Sequence, residues 1–373
     1  MEHQSYDYRN RDFSDLAETA FSAAGQGEIV LCIMNTVDAA QELYDRVRST
    51  SSAALPLERI GLLHSRFPVW ERQELEEYWL NAIGKRGDRS LGAVLVATQV
   101  VEQSVDIDAD RIITELAPTD MLLQRLGRLW RHERTDRSPA AECRVTILHP
   151  QFQDESDFAD CLATNGCVYS PYVLWRSHQE WKNRDFIRLP TDIREILEAT
   201  YAEDETESET ISELHEQMEQ RRKEMRKLAT ACGNRKDFPE MKDRESKTRY
   251  SDSPSLEILL LRSEPRPVGR SCTDIILSDG AECRLIPQVK LVRNALDLQR
   301  NIVSVRMRRK DRELVEELPD ALSPYFFRDE QVVPLVMTED ESGGFGYQLC
   351  TLGGVYSGFR YQPGRGVFRK EAS

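Results

Sequence analysis

The sequence lacks several features that would each point to a class of protein at once. None of its eight cysteines forms a CxxC pair, which disfavours a zinc finger or zinc ribbon, and we expect no metal site. No apolar run approaches the roughly 20 residues of a membrane-spanning helix, and the polar amino terminus has no features of a targeting signal. We therefore expect a cytoplasmic protein with no membrane partner. The formal net charge of −14 excludes bulk attraction to nucleic acid, although it leaves room for a narrow basic track.

Residues 28–150 alternate short apolar runs with segments of amphipathic spacing. We predict strands at 29–34, 59–64, 93–97, 111–115 and 144–148, and a helix at 121–129. This alternation predicts an α/β domain built on a parallel sheet with helices on both faces. Such sheets bind ligands at the carboxyl ends of their strands. Residues 1–27 are polar, and we interpret them as a lead-in.

The pattern changes after residue 150. We interpret residues 151–253 as a mainly helical, charged linker region, and residues 254–373 as an α+β accessory domain. In the latter we predict a strand at 256–261, a helix at 288–299 and two or three strands within 331–360. The basic run at 306–312 leaves two interpretations open, a contact with a DNA backbone or a solvated charged surface.

The chemistry is concentrated in two segments, TQVVEQSVDID (98–108) and QRLGRLWRH (124–132). On a continuous helix Gln124, Arg128 and Arg131 would share one face, because they are spaced i, i+4, i+7. There Arg128 and Arg131 could neutralise a γ-phosphate held by another domain, as arginine fingers do. If the helix is considered by itself, a surface with salt bridges explains these arginines equally well.

The first segment begins directly after a buried strand, and its first side chains are short and polar. Thr98 and Gln99 come directly after that strand, where backbone N–H groups and small polar side chains suit contact with phosphate. Asp106, further along, supplies a carboxylate that can accept hydrogen bonds from a ribose or from an arginine finger. These features favour a nucleotide-dependent function over a salt-bridged surface.

These segments resemble motifs V and VI of superfamily 2 helicases, in the form found in the CRISPR-associated helicase–nuclease of type I interference. Upstream, VLCIMNTVDAAQELYDRV resembles that family's motif IV, and IGLLHSRFPVWERQELEE resembles its next motif, including the HSRF core. The four motifs occur in the expected order over residues 29–149. Trp130 stands where the family usually has a second histidine, which leaves the role of that position open.

The resemblance implies the second RecA-like lobe of an ATP-dependent, 3′-to-5′ single-strand DNA translocase or helicase in antiviral defence. It implies ATP with Mg²⁺ as cofactors, with the magnesium bound mainly by another lobe. Arg128 and Arg131 would be the arginine fingers, with Gln124 and Asp106 orienting them or the ribose. The resemblance implies that Asn35, Thr36, Arg66 and Thr98 bind nucleic acid. Gln99, noted above at the strand end, is the fifth residue expected to do so.

The sequence contains neither GxxxxGK[ST] nor a His-Asp dipeptide. We therefore expect either half of a split system, with the Walker-motif lobe and the nuclease domain in another chain, or a truncated gene. The CRISPR target-recognition complex is expected as a further partner. The chain alone is expected not to hydrolyse ATP. Two alternatives remain, a non-catalytic docking or regulatory module derived from such a helicase, and a fragment of another superfamily 2 helicase. Arg134, just past the last motif, is expected to be unimportant.

Overall fold

The computed structural model describes residues 1–50, 55–103, 106–202, 207–233, 254–269, 272–315, 318–326, 331–339 and 346–369. The chain divides into two compact units. The first comprises Met1–His64 with Glu76–Asp252, and the second comprises Ser65–Leu75 with Ser253–Ser373. Among the described residues the first unit contains one sheet and the second contains two.

The first unit is built on a six-stranded, all-parallel sheet with the order β1-β6-β5-β2-β4-β3. Its strands are β1 (Glu2–Tyr6), β2 (Ile29–Ile33), β3 (Ile60–Leu63), β4 (Ala93–Ala97), β5 (Arg111–Glu115) and β6 (Arg144–Pro150). Every residue of the neighbouring strands β2 and β4 is buried, as expected of parallel strands covered on both faces. The predicted α/β class and parallel sheet are confirmed.

Nine helices in the described part of this region accompany the sheet. They are α1 (Ser14–Gly25), α2 (Val37–Ser49), α3 (Val69–Ile83), α4 (Val100–Gln103), α5 (Thr119–Leu126), α6 (Phe158–Cys161), α7 (Pro171–Trp181), α8 (Ile193–Tyr201) and α9 (Glu209–Gly233). Helix α3 contributes residues to both units, because the division falls at Leu75. None of the helices among the described residues is long and apolar enough to cross a membrane.

Two features differ from the sequence-based expectations. Residues 1–27, expected as a lead-in, contain β1 and α1, and β1 pairs with β6 at the sheet edge. The helix predicted at 121–129 ends at Leu126, because Gly127 caps it and Leu129 then forms a bridge with Ala109. Trp130 follows in the left-handed region with a φ of 46°. The prediction that Gln124, Arg128 and Arg131 share a helical face is therefore wrong.

The second unit contains a mixed six-stranded sheet, β11-β7-β12-β13-β14-β15, and a three-stranded sheet, β10-β9-β8. Its elements are β7 (Ser255–Leu261), β8 (Arg266–Val268), β9 (Cys272–Ile276), β10 (Glu282–Leu285), α10 (Val292–Arg300), β11 (Ile302–Arg306), β12 (Val332–Glu339), β13 (Tyr347–Cys350), β14 (Tyr356–Gln362) and β15 (Gly366–Arg369). Leu256, Ile258 and Leu260 on β7 are buried in a core that also includes Val303 and Val305. Residues 234–253, the last part of the expected linker region, lie outside the described residues.

Candidate functional site

Arg125 is the centre of a buried polar network in the first unit. Its side chain is fully buried, and its Nε donates to Glu102 Oε1 at 2.7 Å. Its Nη1 donates to Thr114 Oγ1 at 2.7 Å, and its Nη2 donates to Asn35 Oδ1 at 2.9 Å. Asn35 follows β2, Glu102 lies on α4 and Thr114 lies on β5. One guanidinium therefore joins the segments resembling motifs IV, V and VI.

Glu115, at the end of β5, adds a second acidic group to this network. Its Oε2 accepts the N–H of Asn35 at 2.6 Å, and its backbone carbonyl accepts Arg125 Nη1 at 3.1 Å. Burial raises the pKa of Glu115, and the Asn35 N–H and the nearby positive charge of Arg125 oppose that shift. The Asn35 Nδ2 donates to Leu116 O at 2.8 Å. Both polar groups of the Asn35 side chain are thus bonded inside the protein.

Arg128 is a buried cation with few partners. It is 8% exposed, and its Nη2 donates to the backbone carbonyl of Glu102 at 2.6 Å. Its Nε is buried without a hydrogen-bond partner, and in the described part of the chain its guanidinium makes no ion pair. Burial lowers the pKa of Arg128 and the positive charge of Arg131 lowers it further, whereas the nearby carboxylates of Asp106 and Glu102 raise it. An anion placed beside Arg128 would oppose both effects.

Arg131 is accessible and lies against a carboxylate. Its side chain is 38% exposed, and its Nε lies 2.6 Å from Asp106 Oδ1. His132 Nε2 lies 3.1 Å from both carboxylate oxygens of Asp106. Asp106 therefore contacts both Arg131 and His132. The structure brings Asp106, Arg128 and Arg131 into one neighbourhood, while Gln124 is exposed on α5.

The expected nucleic-acid-binding residues fall into two groups. Asn35, Thr36, Thr98 and Gln99 follow the adjacent strands β2 and β4, and Gln99 Nε2 donates to Asn35 O at 2.9 Å. Thr98 is buried, whereas Thr36 and Gln99 are partly exposed and Thr36 caps α2 through a 3.2 Å bond from Ala39 N. Arg66 belongs to the second unit, where its carbonyl accepts Val367 N at 2.8 Å.

A buried ion cluster follows the site along the chain. Asp108 and Asp110 are fully buried between the guanidiniums of Arg89, Arg134 and Arg137. Arg134 Nη1 also donates to the carbonyls of residues 84 and 85 at 3.0 and 2.8 Å. Arg134, which was expected to matter little for hydrolysis, thus has several partners in the structure and links residues 84 and 85 to the loop after the last motif. Trp130, the residue of open role, lies under the Arg137 guanidinium at 4.5 Å.

Sequence reasoning missed Arg125, Glu102 as its partner, and Tyr169. Tyr169 lies outside every motif, yet its hydroxyl accepts Gln99 Nε2 at 3.1 Å. Spacing alone gave no signal for it. A signal did exist for Arg125, because it lies one turn after Met121 and Leu122, and Leu122 is buried with it. An arginine on the apolar face of a short helix requires a buried acidic partner.

Part of the chain is similar in sequence to known proteins. Residues 26–134 match the family profile described as CRISPR-associated nuclease/helicase Cas3, C-terminal. The chain is 38% identical over 190 residues to the CRISPR-associated endonuclease/helicase Cas3 of Escherichia coli, which is 50% of this chain and 20% of that protein. It is 42% identical over 149 residues to the Thermus thermophilus protein of the same description, which is 40% of this chain and 16% of that protein.

Solved structures extend the similarity over the whole chain. The T. fusca Cas3-AMPPNP crystal structure superposes with a TM-score of 0.68 and 22% identity, covering 98% of this chain and 42% of that one. A chain of a CRISPR RNA-guided surveillance complex in a pre-nicking state gives 0.66 and 23%, covering 99% and 44%. The chain thus spans less than half the length of these relatives. The resemblance to the CRISPR-associated helicase–nuclease is confirmed, with residues 26–134 matching the Cas3 C-terminal profile.

Proposed function

We propose that residues 29–149 act as the second lobe of an ATP-driven single-strand DNA translocase in CRISPR defence. In this proposal Arg128 and Arg131 face a γ-phosphate bound to a Walker-motif lobe that the 373 residues do not include. The single DNA strand would run past the partly exposed Thr36 and Gln99. The buried Asn35 and Thr98 would hold these two residues in place from within the protein. Opening and closing of the two lobes would move the strand stepwise.

The observation that carries this proposal is the under-neutralised charge of Arg128. A buried guanidinium without an ion pair is costly unless an anion completes its surroundings. Arg131 increases that cost by repulsion, and the carboxylates of Asp106 and Glu102 offset it only from a distance, because neither forms an ion pair with Arg128 among the described residues. A polyphosphate is the kind of ligand that two adjacent guanidiniums suit. A docking module would have no use for this arrangement.

The residues present fit a nucleotide in a defined way. Arg128 and Arg131 would contact phosphate oxygens, and Asp106 would hold Arg131 in position or bind a ribose hydroxyl. Bound ATP with Mg²⁺ supplies the reactive phosphoanhydride. The contribution of this chain would be charge that is already oriented before the bond breaks, which acts mainly on the transition state.

The test is complementation. The chain, mixed or fused with the amino-terminal half of a Cas3 relative that carries Walker residues, should gain DNA-stimulated ATP hydrolysis that the chain alone lacks. Arg131→Ala should preserve assembly and nucleotide binding but lower the hydrolysis rate by about a thousandfold, because an arginine finger acts on the transition state.

The matched control is Arg86→Ala. Arg86 is exposed in the first unit and makes no hydrogen bond or ion pair with any described residue, so its removal should leave hydrolysis unchanged. Arg134 is unsuitable as a control because of its contacts in the ion cluster. Equal hydrolysis by the Arg131 and Arg86 variants would refute the finger assignment. A stable assembly without any hydrolysis would favour the docking alternative.

A further inference from the structure

Five basic side chains are displayed together at the end of β11 and in the turn that follows it. They are Arg306, Arg308, Arg309, Lys310 and Arg312, and all five are exposed. None of these side chains makes a hydrogen bond or an ion pair with a described residue. We name this surface the basic edge, since β11 is the edge strand of the mixed sheet.

The alternation of β11 directs these charges outward. Val303, Val305 and Met307 are buried in the core of the second unit, whereas Arg306 and Arg308 lie on the opposite, exposed face. Side chains of alternate strand residues lie on the same face, at about 7 Å from one to the next. Substitution of the outward residues should therefore leave the core intact.

The turn of the basic edge is held in place by a buried acidic residue. Asp311 is 2% exposed, and its Oδ2 accepts the Arg308 N–H at 2.5 Å. Arg369 binds both carboxylate oxygens of Asp311, at 2.7 and 2.6 Å, and also donates to Arg306 O at 2.8 Å. Arg369 thus neutralises Asp311, so Asp311 does not compensate the charge of the five exposed cations. The rigid turn also reduces the entropy that binding would cost.

We propose that the basic edge binds the phosphate backbone of double-stranded nucleic acid, independently of sequence. The chain is acidic overall, so a local concentration of arginine without partners among the described residues is a departure from its own composition. Interfaces with proteins centre on apolar and aromatic residues, whereas the exposed positions from 304 to 312 are all polar or charged. Arginine guanidinium groups match phosphate oxygens in a two-pronged geometry. These features favour a phosphate backbone over an acidic protein surface.

The same features favour a duplex over a single strand. Binding of single strands without sequence preference relies on aromatic side chains that stack on bases, and residues 302–315 contain none. Backbone binding through charge alone depends on charge density, which is higher along a duplex, at one negative charge per about 1.7 Å of helix axis. This proposal requires neither ATP nor a second lobe, so it stands independently of the function proposed above.

The test uses the whole chain and fluorescence anisotropy with a labelled duplex and a single strand of equal length, at several salt concentrations. The wild-type chain should bind the duplex more tightly. The triple variant Arg308→Gln, Arg309→Gln, Lys310→Gln should bind the duplex at least about tenfold more weakly at low salt. The slope of log affinity against log salt should become shallower by about 2 to 3, one step for each lost phosphate contact.

The matched control removes the same charge elsewhere. Arg222→Gln, Lys223→Gln and Lys227→Gln lie at exposed positions on α9, among acidic neighbours, and should leave duplex binding within about twofold of wild type. Equal losses in the two triple variants would overturn the proposal, because net charge alone would explain them. Tighter binding of the single strand, or equally effective competition by polyglutamate of matched charge, would overturn it as well.

Discussion

Arg125 and Arg131 lie six residues apart and have opposite surroundings. Arg125 is fully buried and donates four hydrogen bonds of 3.1 Å or shorter. Arg131 is 38% exposed and lies beside one carboxylate that is itself 42% exposed. A buried ion pair leaves an uncompensated charge when one partner is removed, whereas an exposed pair contributes little to stability. The two arginines should therefore respond differently to the same substitution.

We predict that Arg125→Ala lowers the free energy of unfolding by about 3–5 kcal/mol, because Glu102 and Asn35 lose their buried partner. Arg131→Ala should change it by less than about 1 kcal/mol. Urea denaturation followed by circular dichroism measures both. A smaller loss for Arg125→Ala than for Arg131→Ala would mean that the network around Arg125 does not hold the three motifs together.

At the scale of elements, burial decided which strands the sequence could predict. The runs 93–97 and 111–115 were predicted with the bounds that the structure has. The first, AVLVA, is a continuous apolar run, which marks a strand covered on both faces, and the second, RIITE, has three β-branched residues at its centre. The strand β1 was missed because its sequence, EHQSY, is polar and lies at the sheet edge. The helix α1 did carry a signal, since Leu16, Ala17, Ala20 and Phe21 are apolar at helical spacing and buried.

The candidate site was less predictable than the sheet. Asp106 and Arg131 belong to two separate motifs, and the structure brings them into contact. The end of α5 could not be placed, because Gly127 is tolerated both inside and at the end of a helix. The burial of Arg128 depends on contacts with a segment more than 20 residues away, through Glu102 O. Periodicity has no information about such a contact.

A row of three imidazoles joins β1, β6 and α7. His3 Nε2 lies 2.8 Å from Arg184 O, which can only accept, so His3 Nε2 carries the proton and His3 Nδ1 accepts. His149 Nε2 then donates to His3 Nδ1 at 3.0 Å, and His178 Nδ1 donates to His149 Nδ1 at 2.9 Å. The two hydrogen bonds between the rings require that the accepting nitrogens, His3 Nδ1 and His149 Nδ1, carry no proton. Protonation of His149 would place two N–H groups against each other.

This row predicts acid sensitivity of the first unit. Burial lowers the pKa of His149 to about 3 and that of His178 to about 4, with Lys182 adding positive charge nearby. The unfolded chain binds protons below about pH 6.5 and the folded chain does not, so stability is lost as the pH falls from about 6.5 towards 4. We expect a loss of about 2 kcal/mol per histidine between pH 7 and pH 5.

The variant His178→Phe separates this effect from general acid denaturation. His178 packs against Phe152, Phe158 and Trp175, so a phenyl ring suits the position. The variant removes one titrating group and leaves His149 Nδ1 free to accept a proton, which should roughly halve the loss between pH 7 and pH 5. His215→Gln, outside the row, should keep the full loss. Urea unfolding at the two pH values measures it, and an unchanged loss in His178→Phe would exclude the row as the cause.

At the scale of the whole molecule, the second unit is discontinuous in sequence. The segment Ser65–Leu75, which resembles a helicase motif, belongs structurally with Ser253–Ser373. Its anchor is Glu71, whose carboxylate accepts Tyr361 Oη–H at 2.9 Å and Gly364 N–H at 2.7 Å. Burial raises the pKa of Glu71 to about 6, against the two hydrogen bonds, which lower it. The segment 65–75, although it lies early in the sequence, thus forms part of the fold of the second unit.

We therefore predict that Glu71→Ala destabilises the carboxy-terminal strands although it lies nearly 300 residues before them. One buried and one partly buried donor, the Tyr361 hydroxyl and the Gly364 N–H, lose their acceptor, at a cost of about 2–3 kcal/mol. Hydrogen exchange followed by mass spectrometry should show faster exchange in β14 and β15 and unchanged exchange in β2 and β4. Glu74→Ala, exposed on the same helix, is the matched control and should leave all four strands protected. Faster exchange in β2 and β4 instead would assign Glu71 to the first unit, and no difference between the two variants would show that the segment 65–75 does not anchor the second.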